Sequence, residues 1–193
     1  MSDMRKLHFS LGPVQSFVAE ARRTRDLWAG SFLLSYLAGQ AIKAVLDADG
    51  RIVYPKITMG KAGNGFKASI GTIPNRFVAM IPLDFEPGAC TKAIMAAWQQ
   101  IAEAVWDRYL ANTAERFGFN TSEIWNRQVE NFWEISWAVG DDPDLLDRRK
   151  NWRSYVPPRE PGDKCMLMSA WQELSGYLRI KEREKQDRFW QEV

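Results

Sequence analysis

The stretch LHFSLGPVQSFV, residues 7–18, decides how the fold begins. Its first five residues alternate between apolar and polar side chains, which predicts a short β-strand with one buried face. Gly12-Pro13 ends that strand, and a proline suits the first turn of a helix, where its missing N–H costs little. Apolar residues then recur at helical spacing: Val14, Phe17, Val18 and Ala21. The stretch therefore predicts a strand that leads directly into an amphipathic helix.

The pattern continues outward from this unit. Gly30-Ser31 predicts a break, after which a second helix covers about 32–46. The remaining predicted elements are a strand in 51–57, a strand over 77–83, a helix over 90–110 and a strand over 133–139. The apolar stripe of the helix over 90–110 consists of Ile94, Trp98, Ile101, Val105 and Tyr109. The order strand, helix, strand, strand, helix, strand is that of the split βαβ plan. We therefore predict an α+β, ferredoxin-like domain over 1–142.

The composition changes after Gly140. Residues 141–161 are rich in charge and proline, and 181–193 are strongly charged with a helical pattern. We predict that 143–193 is a linker followed by the start of a helical domain. The charged last helix has no following element to pack against, which favours a chain that is part of a longer protein.

Bulk properties narrow the class of protein. Of the 193 residues, 46% are hydrophobic and 26% are charged, a composition that excludes disordered and fibrous classes. The formal charge of +2 is too small to indicate nucleic-acid binding by itself. Two cysteines, Cys90 and Cys165, cannot form a disulfide framework. The start of the chain lacks a signal-peptide pattern, and 27–45 is too polar for a membrane span. These features predict a cytoplasmic protein without a membrane partner.

Two segments could contact phosphate. The junction Ser10–Ser16 joins a strand end to a helix start, where free N–H groups and the helix dipole favour anions; the alternative is an ordinary turn. Arg22, Arg23 and Arg25 fall within one helical turn and could grip a triphosphate or an RNA backbone. The alternative is a solvated helix face on which Asp26 neutralises one arginine.

Other candidate sites are weaker. The glycine- and lysine-containing segment 60–71 lacks the spacing of a phosphate-binding P-loop. Asp141 and Asp142 follow a strand and could hold metal ions, but a strand-ending turn is the favoured interpretation. Cys165 and Met168 would be half of a zinc knuckle only if residue 168 were cysteine, so no zinc site is expected. His8 is the only histidine, which removes Ser-His and Cys-His catalysis.

Five tryptophans fall on the predicted core stripes, and core packing is the expected role of each: Trp28, Trp98, Trp106, Trp133 and Trp137. Stacking on bases is the alternative for any that are exposed. His8 lies in the middle of the first strand, on the face opposite to that of Leu7 and Phe9, and is likewise expected to be structural.

Together these residues resemble a known family. The blocks HFSLGPVQSFV (8–18), ARRTRDLWAGS (21–31) and LLSYL (33–37) resemble the opening of the large subunit of type III-B CRISPR (Cmr) effector complexes. Residues 73–79, 161–165 and 189–190 resemble later blocks of the same family, in the same order. The resemblance spans nearly the whole chain.

The resemblance implies a fold and a function. The intact family subunit resembles two facing cyclase-like palm domains, of which the second carries a GGDD motif that holds metal and polymerises ATP. The resemblance implies that this chain is a first palm without an HD domain and that Gly140-Asp141-Asp142 is not the GGDD motif. It also implies that the chain is not an active enzyme alone. ATP, with Mg²⁺ supplied through the second palm, is the expected ligand.

The nucleotide-binding residues that the resemblance implies are Ser10, Leu11, Gly12, Pro13, Val14, Gln15, Ser16, Arg22, Arg25 and Ser31. No catalytic residue and no metal ligand is expected. The expected partners are the other Cmr subunits, CRISPR RNA and target RNA. Two alternatives remain open: an interaction module without a nucleotide role, and a stand-alone enzyme that uses Asp141 and Asp142 as metal ligands.

Overall fold

A computed structural model describes residues 4–56, 73–151 and 160–193. Its strands are β1 (Met4–Gly12), β2 (Arg51–Tyr54), β3 (Arg76–Pro82) and β4 (Glu134–Val139). Its helices are α1 (Gln15–Ala19), α2 (Thr24–Asp47), α3 (Gly88–Val105), α4 (Ala111–Phe117), α5 (Thr121–Asn131), α6 (Leu145–Asn151) and α7 (Arg179–Glu192). A π-helical turn, Trp106–Leu110, joins α3 to α4.

The four strands form one antiparallel sheet in the order β2-β3-β1-β4. β1 is central, and its residues face β3 on one side and β4 on the other: Ser10, for example, lies opposite Arg76 and opposite Ser136. The predicted α+β class with a four-stranded antiparallel sheet is therefore confirmed. The order of strands and helices along the chain also agrees with the predicted order.

The chain separates into two compact units. Among the described residues, the first contains 4–56, 73–97 and 133–151, and therefore the whole sheet with α1, α2 and α6. The second contains 98–132 and 160–193, with α4, α5 and α7. The predicted domain boundary at 142/143 stays a prediction.

One face of the sheet carries the core of the first unit. The rings of Phe9 and Phe77 stack with centroids 4.8 Å apart, and Leu7 and Leu11 are fully buried beside them. The buried residues of α2 complete this core: Leu34, Leu37, Ala38, Ala41, Ile42 and Val45. Cys90 at the start of α3 is fully buried, and this burial raises the pKa of its thiol to about 12, so the thiol stays protonated.

The other face of β1 is covered as well, so the prediction of one buried face was wrong. His8 and Ser10 are 7% and 0% exposed. The cover is α6, which contacts β1 and β4. Alternation in a strand reports which side chains share a face; it does not tell whether a distant helix returns to bury the polar face.

Two predicted features of the first helical region were also wrong. α2 runs without a break through Gly30, where a Cβ atom would lie 3.2 Å from the Phe17 ring. Gly30 is therefore explained by the close approach of α1 rather than by a bend. Pro13 lies before α1, which begins at Gln15, and so does not occupy its first turn.

The predicted apolar stripe of the long helix is correct only in its first half. Ile94 is buried, but Val105 and Tyr109 are 37% and 54% exposed. The more buried positions after Trp98 are instead Ala102, Trp106 and Leu110. A four-residue spacing advances by about 40° per step on an α-helix. The π-turn at Trp106–Leu110 has more residues per turn and rotates this drifting stripe back.

Within the described residues, α2 is the one helix long and apolar enough to cross a membrane, so the prediction that 27–45 is too polar for a span was wrong by length and composition. Its C-terminal half lies against the sheet and is buried there, as expected for the core helix of a globular domain. The predicted cytoplasmic location stays a prediction.

Candidate functional site

The junction Ser10–Ser16 begins inside the sheet. The N–H of Leu11 donates to the carbonyl of Asn75 at 2.8 Å, and the Asn75 side-chain amide donates back to the carbonyl of Leu11 at 3.0 Å. Gly12 pairs with Glu134 of β4, whose carboxylate lies beside it. The first half of the junction is thus held by hydrogen bonds to neighbouring strands and loops, and an acidic side chain lies next to its glycine.

The second half of the junction faces solvent. Pro13 and Val14 are partly buried, and Gln15 and Ser16 at the start of α1 are exposed. α1 has only five residues, so its dipole adds little attraction for an anion.

α1 also packs on α2, where Phe17 meets Gly30. Ser31 follows Gly30 and is partly buried. Ser31 therefore lies beside the point where α2 meets α1, and its role in nucleotide binding stays a prediction.

Of the predicted arginines, Arg22 lies between α1 and α2, and Arg25 lies in the first turn of α2. Arg22 and Arg25 are exposed, and Arg25 Nε lies 3.6 Å from a carboxylate oxygen of Asp26. Asp26 also accepts a hydrogen bond of 3.1 Å from the N–H of Arg23, at the start of α2. Within the described residues, no ion pair or hydrogen bond joins Arg25 to the junction. The neutralising role predicted for Asp26 is confirmed.

The strongest contact of a predicted site residue involves a lysine that the sequence did not single out. Lys150 in α6 donates a hydrogen bond to the Ser10 hydroxyl, with 2.6 Å between Nζ and Oγ. Ser10 occupies the middle of a polar row across three strands, between Arg76 of β3 and Ser136 of β4. We call the group Arg76, Ser10, Ser136 and Lys150 the polar row.

The polar row is rich in positive charge. Arg76 is paired with Asp147 at 2.9 Å, whereas Lys150 forms no ion pair with any described residue. Desolvation by burial and then the positive charge of Arg76 lower the pKa of Lys150, against the weaker opposing effects of Asp147 and Glu134. An ammonium group in this position is stabilised by an added anion, because both causes of the pKa shift act against its charge.

Helix α6 carries two further arginines. The Arg149 guanidinium lies over the ring of Trp137, 4.6 Å from its centroid. Arg148 pairs with Asp142 and lowers the pKa of that carboxyl, and the N–H of Asp144 adds to the shift.

These contacts occupy the acidic pair. Asp141 lies 3.3 Å from the ammonium of Lys6, and Asp142 is committed to Arg148 and to the N–H of Asp144. Asp142 therefore serves the turn between β4 and α6, whereas the exposed Asp141 pairs with Lys6 of β1. No group of three or more His, Cys, Asp or Glu side chains suited to a metal ion occurs among the described residues.

The remaining sequence candidates divide as follows. His8 is buried, and its Nε2 donates to the carbonyl of Gly140 at 3.0 Å, which confirms a structural role. The sulfur of Cys165 accepts a hydrogen bond of 3.5 Å from the N–H of Met168. The glycine- and lysine-containing segment 60–71 lies outside the described residues. Among the tryptophans, Trp133 is buried as predicted, but Trp28 is 56% exposed, so its predicted core role was wrong.

The exposure of Trp28 has a simple cause. It lies in the second turn of α2, ahead of the part of the helix that packs on the sheet. Leu27 and Phe32 are also exposed there, at 42% and 45%. A helical apolar pattern cannot distinguish a face that meets the core from one that is left for a partner.

Sequence reasoning missed Lys150 and Arg76, and one signal could have drawn attention to the first. Arg148, Arg149 and Lys150 form a basic run shortly after the last strand. The contact of Lys150 with Ser10 depends on α6 folding back over the sheet, because the two residues are 140 positions apart along the chain.

Comparison with known proteins gives two findings. Residues 6–103 match the model of the family "CRISPR-associated protein Cmr2, N-terminal". The chain is 30% identical over 92 residues to the "CRISPR system Cmr subunit Cmr2" of Pyrococcus furiosus, an alignment that covers 42% of this chain and 10% of that protein.

The family match includes the junction and both predicted arginines, while Lys150 lies beyond it. The chain spans about a tenth of the length of the relative. The match over 98 of 193 residues (6–103) covers half of the chain. The chain therefore belongs to the Cmr2 family and corresponds to the N-terminal part of the large subunit of the type III-B CRISPR complex.

Proposed function

We propose that this chain forms the first, ferredoxin-like palm of its Cmr2 subunit and contributes part of an ATP-binding site that a second palm completes. The antiparallel order β2-β3-β1-β4 and the strand–helix order along the chain support the palm. Fold alone does not select a function, because the same plan serves many unrelated proteins. The nucleotide role therefore depends on the site.

The contact between Lys150 and Ser10 carries the nucleotide role. The ammonium group has a hydroxyl as its hydrogen-bond partner and Arg76 as a positive neighbour. A phosphate group would accept from the ammonium and offset the repulsion between the two cations. The exposed Gln15 and Ser16 and the arginines Arg22 and Arg25 would then contact other parts of the nucleotide.

We assign catalysis to the second palm of the subunit rather than to residues of this chain. Asp141 and Asp142 are paired with Lys6 and Arg148, which leaves them poorly suited to hold Mg²⁺. In the proposed site this chain binds and orients phosphate through cations and hydroxyls. Mg²⁺ would be held by the second palm.

Calorimetric titration of ATP with magnesium tests this proposal. The titration is made into the chain alone and into an equimolar mixture with the second palm of the same subunit, expressed separately. We expect binding in the mixture that is lost or weakened about tenfold by Lys150→Met, since a charged hydrogen bond is removed. Lys92→Met, which removes an exposed lysine of α3, is the matched control.

The proposal fails if the two palms associate but ATP does not bind, or if Lys92→Met weakens ATP binding as much as Lys150→Met does. Equal weakening would show a general effect of charge rather than a site on the polar row.

One observation favours a second function, the docking of other Cmr subunits or of guide and target RNA. Leu27, Trp28 and Phe32 form an exposed apolar group at the start of α2, next to the arginines. Exposed tryptophan is typical of interface hot spots. This function would be favoured by subunit binding that depends on Trp28 while ATP binding stays absent.

A further inference from the structure

The second unit contains a cleft that the proposed nucleotide site does not use. It lies where the end of α3 and the π-turn face the start of α5 and has a volume of about 420 Å³, within the range of small ligand sites. Its lining residues are Gln99, Glu103, Trp106, Asp107, Ser122, Trp125 and Asn126. The set contains two tryptophans and two carboxylates, and no lysine or arginine.

The two tryptophans form the aromatic part of the cleft. The rings of Trp106 and Trp125 have centroids 5.8 Å apart at an angle of 43°. Both residues are partly buried, so each keeps some surface open to the cleft. The π-face of an indole ring attracts a cation more strongly than that of any other side chain.

The two carboxylates lie four residues apart on the same helical surface. Glu103 and Asp107 are exposed, and neither forms an ion pair with a described residue. The Gln99 Nε2 atom donates a hydrogen bond to Glu103 Oε1 at 3.1 Å. Because the Gln99 amide is neutral, this bond leaves the negative charge of Glu103 uncompensated. Like charges at this spacing destabilise a helix slightly, so a cation placed between them would relieve the repulsion.

The local backbone supports a role for this cleft. Trp106 and Asp107 are the first two residues of the π-turn, which changes the direction of their side chains relative to a continuous α-helix. Single π-turns inside helices occur often at functional sites.

We propose that this cleft binds an arginine side chain from a basic segment of a partner protein. A planar guanidinium can stack on an indole ring while its N–H groups donate to carboxylates, and the lining offers both. The uncompensated negative charge disfavours a phosphate backbone, so the proposed occupant is a protein and not RNA. The cleft lies in the second unit, and its role is independent of ATP binding at the polar row.

Calorimetry with a defined peptide tests the proposal. The probe is a glycine–serine peptide with blocked termini and two arginines; the comparison peptide carries neutral citrulline at both positions. The full chain is titrated as the wild type, as the double variant Glu103→Gln/Asp107→Asn, and as Trp125→Leu. The control is Glu115→Gln/Glu130→Gln, which removes the same charge from exposed positions outside the cleft. Far-ultraviolet circular dichroism checks that every variant is folded.

We expect the arginine peptide to bind the wild type and the control equally, and the double variant about tenfold more weakly. The citrulline peptide should not bind measurably. A similar loss in the control and in the Glu103/Asp107 variant would overturn the proposal, because it would show unspecific attraction. Binding of a single-stranded RNA oligonucleotide that depends on Trp125 would also overturn it. Should Trp125→Leu be unfolded, the comparison of the two charge variants still decides.

Discussion

The Nζ atom of Lys150 in α6 lies 2.6 Å from the Oγ atom of Ser10 in the central strand β1. The two residues are 140 positions apart, and their contact places a cation over the buried polar face of the sheet. Desolvation and the charge of Arg76 lower the pKa of this lysine. Because Lys150 is exposed, solvent screens these effects, and its charge costs the fold little.

Lys150→Met should leave the melting temperature unchanged or raise it, because it removes a partly desolvated charge. A lysine whose folded-state pKa is lowered destabilises the fold while it is charged, and this cost falls as pH rises from the lowered value to the unfolded value of 10.5. Any gain in stability from the variant at pH 7 should therefore disappear above pH 10.5. Thermal unfolding of both proteins across this range measures the difference.

A clear loss of stability in Lys150→Met at pH 7 would contradict this account and would assign the lysine a structural role. Lys92→Met serves again as the control, since Lys92 is exposed and its removal should leave the melting temperature unchanged.

The negative charge of Glu160, in the second unit, should stabilise the folded protein, in contrast to the positive charge of Lys150. Its carboxylate accepts two hydrogen bonds from Arg127, of 2.9 and 3.0 Å, and others from Gln128 and the N–H of Gln172. Burial raises the pKa of Glu160, but these donors outweigh it and hold the pKa below the usual value of 4.5. Its contribution to stability is therefore present above pH 4.5 and is lost as pH falls through the lowered folded-state pKa.

Replacing Glu160 with glutamine should cost roughly 2–3 kcal/mol of unfolding free energy at neutral pH, because it leaves the Arg127 guanidinium without its anion. Urea denaturation at pH 7 and at pH 3 measures this cost, and the difference between variant and wild type should shrink at the lower pH. Glu184→Gln, on the exposed surface of α7, is the control. A difference that stays constant with pH would show that the charge of Glu160 is not responsible.

Gly176→Ala should strongly destabilise the second unit. Gly176 has a φ of +77°, and a Cβ atom there would lie 1.7 Å from the carbonyl oxygen of Phe119. Neither the backbone conformation nor this backbone contact can be relieved by a rotamer change, so we expect a loss of at least about 2 kcal/mol. Gly88→Ala, where nothing lies within 4 Å of the new atom, is the control and should change little. Comparable melting temperatures for the two variants would refute the expectation.

Trp28→Ser combined with Phe32→Ser should lower the melting temperature only modestly, because about half of each side chain is already exposed. If this surface docks another Cmr subunit, the double variant should weaken that association by at least about tenfold. Co-purification with the other subunits, followed by a binding titration, measures the effect. Leu83→Ser removes another exposed apolar side chain, 56% exposed, and should leave association intact. Unchanged association of the Trp28/Phe32 variant would remove this surface as a docking site.

The class of fold and the family could be predicted from the sequence alone. Local alternation and helical spacing place β1, β3, β4 and α3 within a few residues of where they occur, because these patterns depend on neighbours a few positions apart. The distinctive opening blocks led to the Cmr2 family in the same way. Helix α2 begins eight residues before its predicted start.

Tertiary structure decided which faces are covered and which charges meet. Helical spacing predicts an apolar, buried position for both Trp28 and Phe17, yet Phe17 packs on Trp133 while Trp28 faces solvent. Ser10 was predicted to begin the phosphate-contacting junction at the end of the first strand, and the structure buries it beneath α6 and bonds it to Lys150. Such contacts join residues far apart along the chain, and no local pattern encodes them, because they depend on where complete helices come to lie on the sheet.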